Sequence, residues 1–390
     1  MRGMEQYPKE SRAGPGQAAA AGQVAEATHA TTGHQARPRR GVPPLLHIDE
    51  KWLALRTEDV IEPRQPIIDA HHHLWHRSTP YLEPQLARDL RCGHDIRGTV
   101  YIEGSSMYRT DGDARFASVG EVEYANGVAA IFASGYHGTV RACAGIVGKV
   151  DLTAGASAKV VLQACMARAP DRFRGVRQMA AWDESPEVNV LMRPPPKDLL
   201  QDACFREGFA MLAPLGLSFD AWVYHPQLPQ LIDLIDAFPE TRVIVDHIGG
   251  LVATGPYAAR KAECLREWLV SLQALAQRPN VFLKIGGLNM RMHGCDFIDR
   301  ELPPTSQELA AAWKPHVERC IETFGPGRCM FESNFPPDKC GVSARVLWNA
   351  FKRLAAGYSH SEKADLFAGT AIRAYRLPTE LGIASSPAAA

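Results

Sequence analysis

Eight short runs rich in β-branched and aromatic residues alternate with longer segments of helical spacing, and few folds accommodate that order. The runs cover residues 66–75, 98–103, 140–147, 173–177, 217–223, 242–247, 280–285 and 328–332. Between and after them, residues 156–169, 197–215, 227–238, 258–277, 306–324, 343–356 and 361–375 carry apolar side chains at amphipathic-helix intervals. Thr305-Ser-Gln-Glu308 reads as a capping box opening one of these helices. Parallel strands need helical crossovers, so strict alternation implies a parallel sheet with helices packed on it. Eight such units suit a single (β/α)8 TIM barrel over residues 46–380, with a doubly wound open sheet as the alternative. The barrel is preferred because polar residues recur at the C-terminal ends of the runs, which in a barrel converge on one mouth.

The flanking segments read differently. Residues 1–45 are rich in Ala, Gly, Gln, Pro and Arg and poor in large aliphatic side chains, so burial cannot offset the entropy of ordering them. They are expected to form a disordered tail, and residues 381–390 a loose C-terminus. Neither the tail nor any other stretch has the apolar run of a signal peptide or membrane span. Nine scattered cysteines contain no C-x-x-C pair, which suggests reduced thiols and a cytoplasmic location rather than a disulfide framework. Formal net charge is zero, so neither nucleic acid nor an anionic membrane is the expected partner. A small-molecule substrate is expected, and the oligomeric state is left open between monomer and homo-oligomer.

The most informative stretch is Pro66-Ile-Ile-Asp-Ala-His-His-His-Leu-Trp75. In a strand, alternation puts Asp69, His71 and His73 on one face and Ala70 and His72 on the other. His71 and His73 could then share one divalent metal. Strand five offers His225 on the face of Phe219, Ala221 and Val223, and strand six offers His247 on the face of Val243 and Val245. Together these histidines make a three- or four-nitrogen site with a position left for water. Each one alone could equally be a satisfied structural histidine. Arg177 and Lys284 end strands four and seven, where they could pair with Glu103 or Glu332 or bind a substrate carboxylate. Trp75 and Tyr108 could wall the pocket, as could Trp182, Trp222 and Tyr224. The pairs Gly249-Gly250 and Gly286-Gly287 lack dinucleotide-binding spacing and suit tight turns beside the site.

Asp69-Ala-His-His-His-Leu-Trp75, Gly175-Val-Arg177, Val245-Asp-His-Ile-Gly249, Lys284-Ile-Gly-Gly-Leu288 and Phe331-Glu-Ser-Asn-Phe-Pro336 resemble, in order and spacing, the amidohydrolase-related branch of the amidohydrolase superfamily. That resemblance implies a (β/α)8 barrel and often a divalent metal, zinc or manganese here. Its relatives include sugar lactonases, 2-pyrone-4,6-dicarboxylate lactonase and metal-dependent decarboxylases. Carried over by position, His71, His73 and His247 match metal ligands and His225 the fifth-strand histidine. The departure is at strand eight, where the family's Ser-Asp-Trp-Pro is Ser333-Asn-Phe-Pro336. An amide is no general base, so Glu332 is the expected stand-in, with His225 and Asp338 as further candidates for the proton transfer, Asn334 orienting and Lys284 also catalytic. Arg177, Trp75 and Tyr108 would bind substrate. The leading expectation is a hydrolase of a small carboxylated lactone or related cyclic ester. A decarboxylase or hydratase of an unsaturated dicarboxylate and a non-catalytic binding protein are the competitors.

Overall fold

Residues 47–77, 79–189 and 193–382 are described by the computed structural model of the chain. All of them belong to one unit, Arg39–Ala390. The expected tail and nearly all of the expected loose C-terminus lie outside the described residues.

Eight parallel strands form one sheet in chain order: β1 Pro66–His72, β2 Asp95–Ile102, β3 Arg141–Gly148, β4 Phe173–Arg177, β5 Ser218–Ala221, β6 Val243–Val245, β7 Val281–Ile285 and β8 Cys329–Phe331. The first and last strands meet just beyond their ends. Asn334 N donates to the His71 carbonyl (2.9 Å) and His73 N to the Phe335 carbonyl (2.7 Å). The sheet therefore closes into a (β/α)8 barrel, and the open sheet is excluded.

Local signals explain the helix ends. The helix Ser306–Phe324 starts where the capping box places it, with Glu308 N donating to Thr305 Oγ1 (3.1 Å) and Thr305 N to Glu308 Oε2 (2.8 Å). The expected helix over 197–215 shrinks to Ala203–Phe209. Asp202 caps its start by accepting from Phe205 N (2.8 Å), and tight turns flank it, one of them built around Pro214. The segment 361–375 is interrupted by a π-turn, Asp365–Gly369. Helices Glu83–Leu90 and Val119–Ala133 have no counterpart in the periodicity reading.

Two apolar layers sandwich the sheet. Outer-face residues such as Phe219, Val243 and Val245 pack with the surrounding helices, while Ile68, Ala70, Val100, Ile102, Ile244 and Met330 fill the interior. Ala371, Ile372 and Tyr375 of the C-terminal segment join that interior cluster.

This layering corrects three face assignments. On β5 the phenyl ring of Phe219 packs edge-on against Phe209 (5.2 Å), so Asp220 is the inward residue. On β6 the inward residues are Ile244 and Asp246, not Val243 and Val245. On β1 the pairing with β2 slips between Asp69 and His72, so two residues there oppose one on the partner strand. Ala70 and His71 both turn inward as a result, and Asp69 turns away from His71's face.

Candidate active site

Every inward-facing position at the C-terminal end of β1, β4, β5, β6, β7 and β8 carries an ionisable side chain, and all are buried. Lys284 Nζ donates to Asp220 Oδ2 (2.6 Å) and lies 3.0 Å from Asp246 Oδ1 and 3.1 Å from His71 Nδ1. Tyr375 donates its hydroxyl to the same Asp220 oxygen (2.6 Å). Arg177 donates from Nε to Glu103 Oε1 (2.9 Å), from Nη2 to the Glu103 carbonyl (2.6 Å) and from Nη1 to Asp246 Oδ2 (3.4 Å). Both cations are therefore fully engaged. Of the two expected roles the pairing one is what the geometry shows, Arg177 with Glu103 as expected and Lys284 with Asp220 and Asp246 in place of Glu332.

The histidines sit on the mouth side of this lattice. His71 and His73 bring their Nε2 atoms within 3.1 Å of each other. His73 Nδ1 faces the Ile102 carbonyl (2.9 Å), which only accepts, so its proton is on Nδ1 and Nε2 carries the lone pair. His247 Nδ1 likewise donates to Glu332 Oε1 (2.6 Å), which orients the ring. His71 Nδ1 lies between Lys284 Nζ and Glu332 Oε2, 2.9 Å from the latter.

Backbone geometry delivers His247 to this place. His247, Ile248, Gly249 and Gly250 all take positive φ (53°, 51°, 75° and 63°), a run that breaks strand alternation and swings the imidazole back over the mouth. Gly286 and Gly287 form the cradle. A Cβ on Gly287 would stand 2.7 Å from His247 Cγ, and one on Gly286 would stand 2.2 Å from Glu332 Cγ. Trp222 lies edge-on to the His247 ring at 4.7 Å.

Electrostatics follow from burial. Desolvation pushes the Asp220 carboxyl up to about 6 against the pull of Lys284. Burial also opposes ionisation of Asp246, but Lys284 and His71 hold it well below the usual range. Glu332 is buried too, yet His247 and His71 hold it at about 2. Burial, with Lys284 alongside, depresses His71 to about 4. Around the cations Arg177 and Lys284 stand four acidic side chains, Glu103, Asp220, Asp246 and Glu332.

A divalent cation fits this arrangement. The donor atoms of His71, His247 and Glu332 all lie within 4.8 Å of one another. Two imidazole nitrogens bound to one tetrahedral zinc are ~3.3 Å apart, close to the His71–His73 separation.

Other expected residues lie elsewhere. His225 follows β5 after a break. Its Nδ1 accepts from Val252 N (3.1 Å), its ring packs edge-on to Tyr257 (5.5 Å), and its Nε2 is 4.0 Å from Glu267. It does not join the cluster, because β5 ends at Ala221 and the chain turns away. Asn334, at φ 50°, donates from Nδ2 to Asp338 Oδ1 (3.1 Å). Asp338 also accepts from Asn289 N (3.2 Å), and burial raises it to about 7. Trp75 stacks on His73 (5.4 Å, 16°). The buried Tyr108 phenol sits near Glu121 and Glu103, which with burial push it up. Sequence reasoning assigned no role to Asp220 or Asp246. The signal for Asp246 was its place two residues after Ile244, but Asp220 had been given to the wrong face.

A closed (β/α)8 barrel with histidines and carboxylates converging at the C-terminal mouth places the candidate site where barrel enzymes carry theirs. The chain belongs to the amidohydrolase family, whose match covers residues 68–377. It is 34% identical over 205 residues to the uncharacterized protein y4mH of Sinorhizobium fredii, covering 53% of this chain and 61% of that one. Over 184 residues it is 29% identical to an L-fucono-1,5-lactonase of Burkholderia multivorans, covering 46% and 58% respectively. The chain thus spans about three fifths of the length of these curated relatives. A zinc-bound amidohydrolase structure from Burkholderia multivorans superposes with a TM-score of 0.61 at 23% identity, over 80% of this chain and all of that one. Among the described residues no helix is long and apolar enough to cross a membrane.

Proposed function

We propose that this protein is a metal-assisted hydrolase of a small lactone, with a carboxylated ring ester as the preferred substrate. The observation that carries this reading is the approach of the His71 and His73 Nε2 atoms to 3.1 Å beside the His247–Glu332 pair. Family membership and the similarity to an L-fucono-1,5-lactonase support the reaction class.

His71, His73 and His247 would hold the metal through Nε2. Glu332 would orient two of them by accepting from His247 Nδ1 and from a proton moved onto His71 Nδ1. A divalent metal bound there supplies an acidified water and polarises the ester carbonyl. Glu332, held at about 2, is a poor proton acceptor near neutrality. Its role therefore shifts from stand-in base to orienting carboxylate. Asp338 at about 7 has the basicity the step requires, and its contact with Asn334 fixes that amide so that Oδ1 turns away from Asp338. Lys284 keeps the Asp220–Asp246 pair neutralised beneath His71 rather than touching substrate.

The test combines metal analysis of the purified protein with turnover of L-fucono-1,5-lactone and 2-pyrone-4,6-dicarboxylate, with and without chelator. One bound zinc or manganese per chain and chelator-sensitive acid release are expected. Carbon dioxide release without ring opening would replace hydrolysis by decarboxylation. Undiminished turnover in His71→Ala/His73→Ala would refute the metal-based mechanism.

A further inference from the structure

Recognition of an anionic substrate needs a cation near the reaction centre whose charge is not already spent, and neither Arg177 nor Lys284 qualifies. We infer that Arg77 forms a carboxylate-binding subsite at the rim of the barrel mouth. This rests on the proposed substrate class but on different residues.

Arg77 lies on the segment that follows β1. Its guanidinium carbon is 4.1 Å from the centre of the Trp75 ring, and that ring stacks on His73. The stack therefore runs from Arg77 through the indole to an imidazole of the proposed metal set. Nη2 of Arg77 donates to the Gly104 carbonyl at the end of β2. Gly104 also lets the indole in, since a Cβ there would be 3.3 Å from Trp75 Cε3.

The segment is pinned at both ends. Trp75 and Tyr81 exchange backbone hydrogen bonds in both directions, each 2.9 Å. Tyr81 is itself tied to Asp89 through its hydroxyl (2.8 Å). Among the described residues no salt bridge within 4 Å joins Arg77 to a carboxylate; burial disfavours its charge and the nearby Glu103 and Glu121 favour it, while the residue as a whole stays exposed. Other arginines on neighbouring elements are paired: Arg109 with Glu123, Arg97 with Asp95, and Arg88 with Glu50. Arg77 thus offers a fixed planar fork, backed by an aromatic face, with room for one more partner. A carboxylate matches that fork bidentately. The ligand placed here is a carboxylated ring at the rim of the mouth, its acid group on the open edge of the Arg77 fork.

The experiment is calorimetric titration with pyridine-2,4-dicarboxylate, a planar dicarboxylate that cannot be hydrolysed, against isonicotinamide as the neutral counterpart. Saturable dicarboxylate binding is expected in the wild type, weakened at least about tenfold in Arg77→Met and partly restored in Arg77→Lys. Isonicotinamide binding should not respond to either change. Because Arg77 is exposed, both variants should keep the wild-type circular dichroism spectrum. Equal dicarboxylate affinity in wild type and Arg77→Met, or no saturable binding to the wild type, overturns the assignment. Arg77-dependent binding in a protein that opens no lactone would keep the subsite and discard the proposed reaction.

Discussion

Replacing Lys284 with methionine isolates the electrostatic centre of the barrel. The change keeps an unbranched chain of similar length and removes one charge from a place with no access to water. Among the described residues Asp220 would keep the Tyr375 hydroxyl (2.6 Å), and Asp246 the long Arg177 contact (3.4 Å) with His71 Nδ1 3.7 Å away. Two carboxylates that had shared one ammonium at 2.6 and 3.0 Å would face each other across the interior. Breaking a buried pair from one side costs about 3–5 kcal/mol, which in a chain of this size lowers Tm by roughly 4–6 °C.

The cost has a pH signature. Asp220 already titrates at about 6 in the fold, above its ordinary value, because it is buried, and Lys284 is what holds it down. A carboxyl raised in the fold contributes stability below its unfolded pKa and loses it as pH rises through the folded value. Removing Lys284 raises that value further, so the deficit should be largest near pH 8 and shrink towards pH 5. Urea denaturation of chelator-treated wild type and variant at both pH values measures it. Asp220→Asn in the Lys284→Met background should recover a substantial part of the loss, since the unpaired charge is gone. A Lys284→Met protein within 1 kcal/mol of wild type at pH 8, by this order-of-magnitude reckoning, would show that the lattice does not carry the energy assigned to it.

Gly287→Ala puts a methyl 2.7 Å from the His247 ring at a φ of 64°, so the imidazole must move; metal affinity should fall about 10–100-fold, read by competition with a chromophoric chelator. His225→Gln should leave metal content unchanged, because that ring faces Val252 and Tyr257; loss of metal in this variant would contradict the geometry. Asn334→Asp restores the family's aspartate but sets a second carboxylate about 3.1 Å from Asp338. It should lower stability by about 1–3 kcal/mol, with Asn334→Asp/Asp338→Asn recovering it in the same melting assay.

Much of the architecture was legible because it is local. Side-chain alternation and amphipathic spacing mark strands and helices wherever they occur, and a capping box marks a helix start without reference to anything distant. His71, His73 and His247 could be picked out because polar residues that interrupt apolar runs at strand ends are conspicuous in one dimension. The Gly286-Gly287 pair could be read as a turn, though not as the cradle for His247 and Glu332.

Other features depended on the closed barrel. Period-two alternation assumes an unbroken strand, and both the slipped pairing in β1 and the left-handed run after β6 break it. On β5 the strand stops at Ala221, so alternation counted through to His225 chose the wrong face: Asp220 points inward where Phe219 was expected, and His225 leaves the mouth altogether. The partnerships of Lys284 with Asp220 and of Arg177 with Glu103 and Asp246 join strands that are distant in the chain. They make the two cations internal counter-ions. Sequence alone determined that histidines and carboxylates would gather at one end of a barrel, since hydrophobic periodicity dictates which segments become strands. Which of them meet, and which are already neutralised, only tertiary structure decided, because charge pairing depends on separation in space and its strength on the water that burial removes.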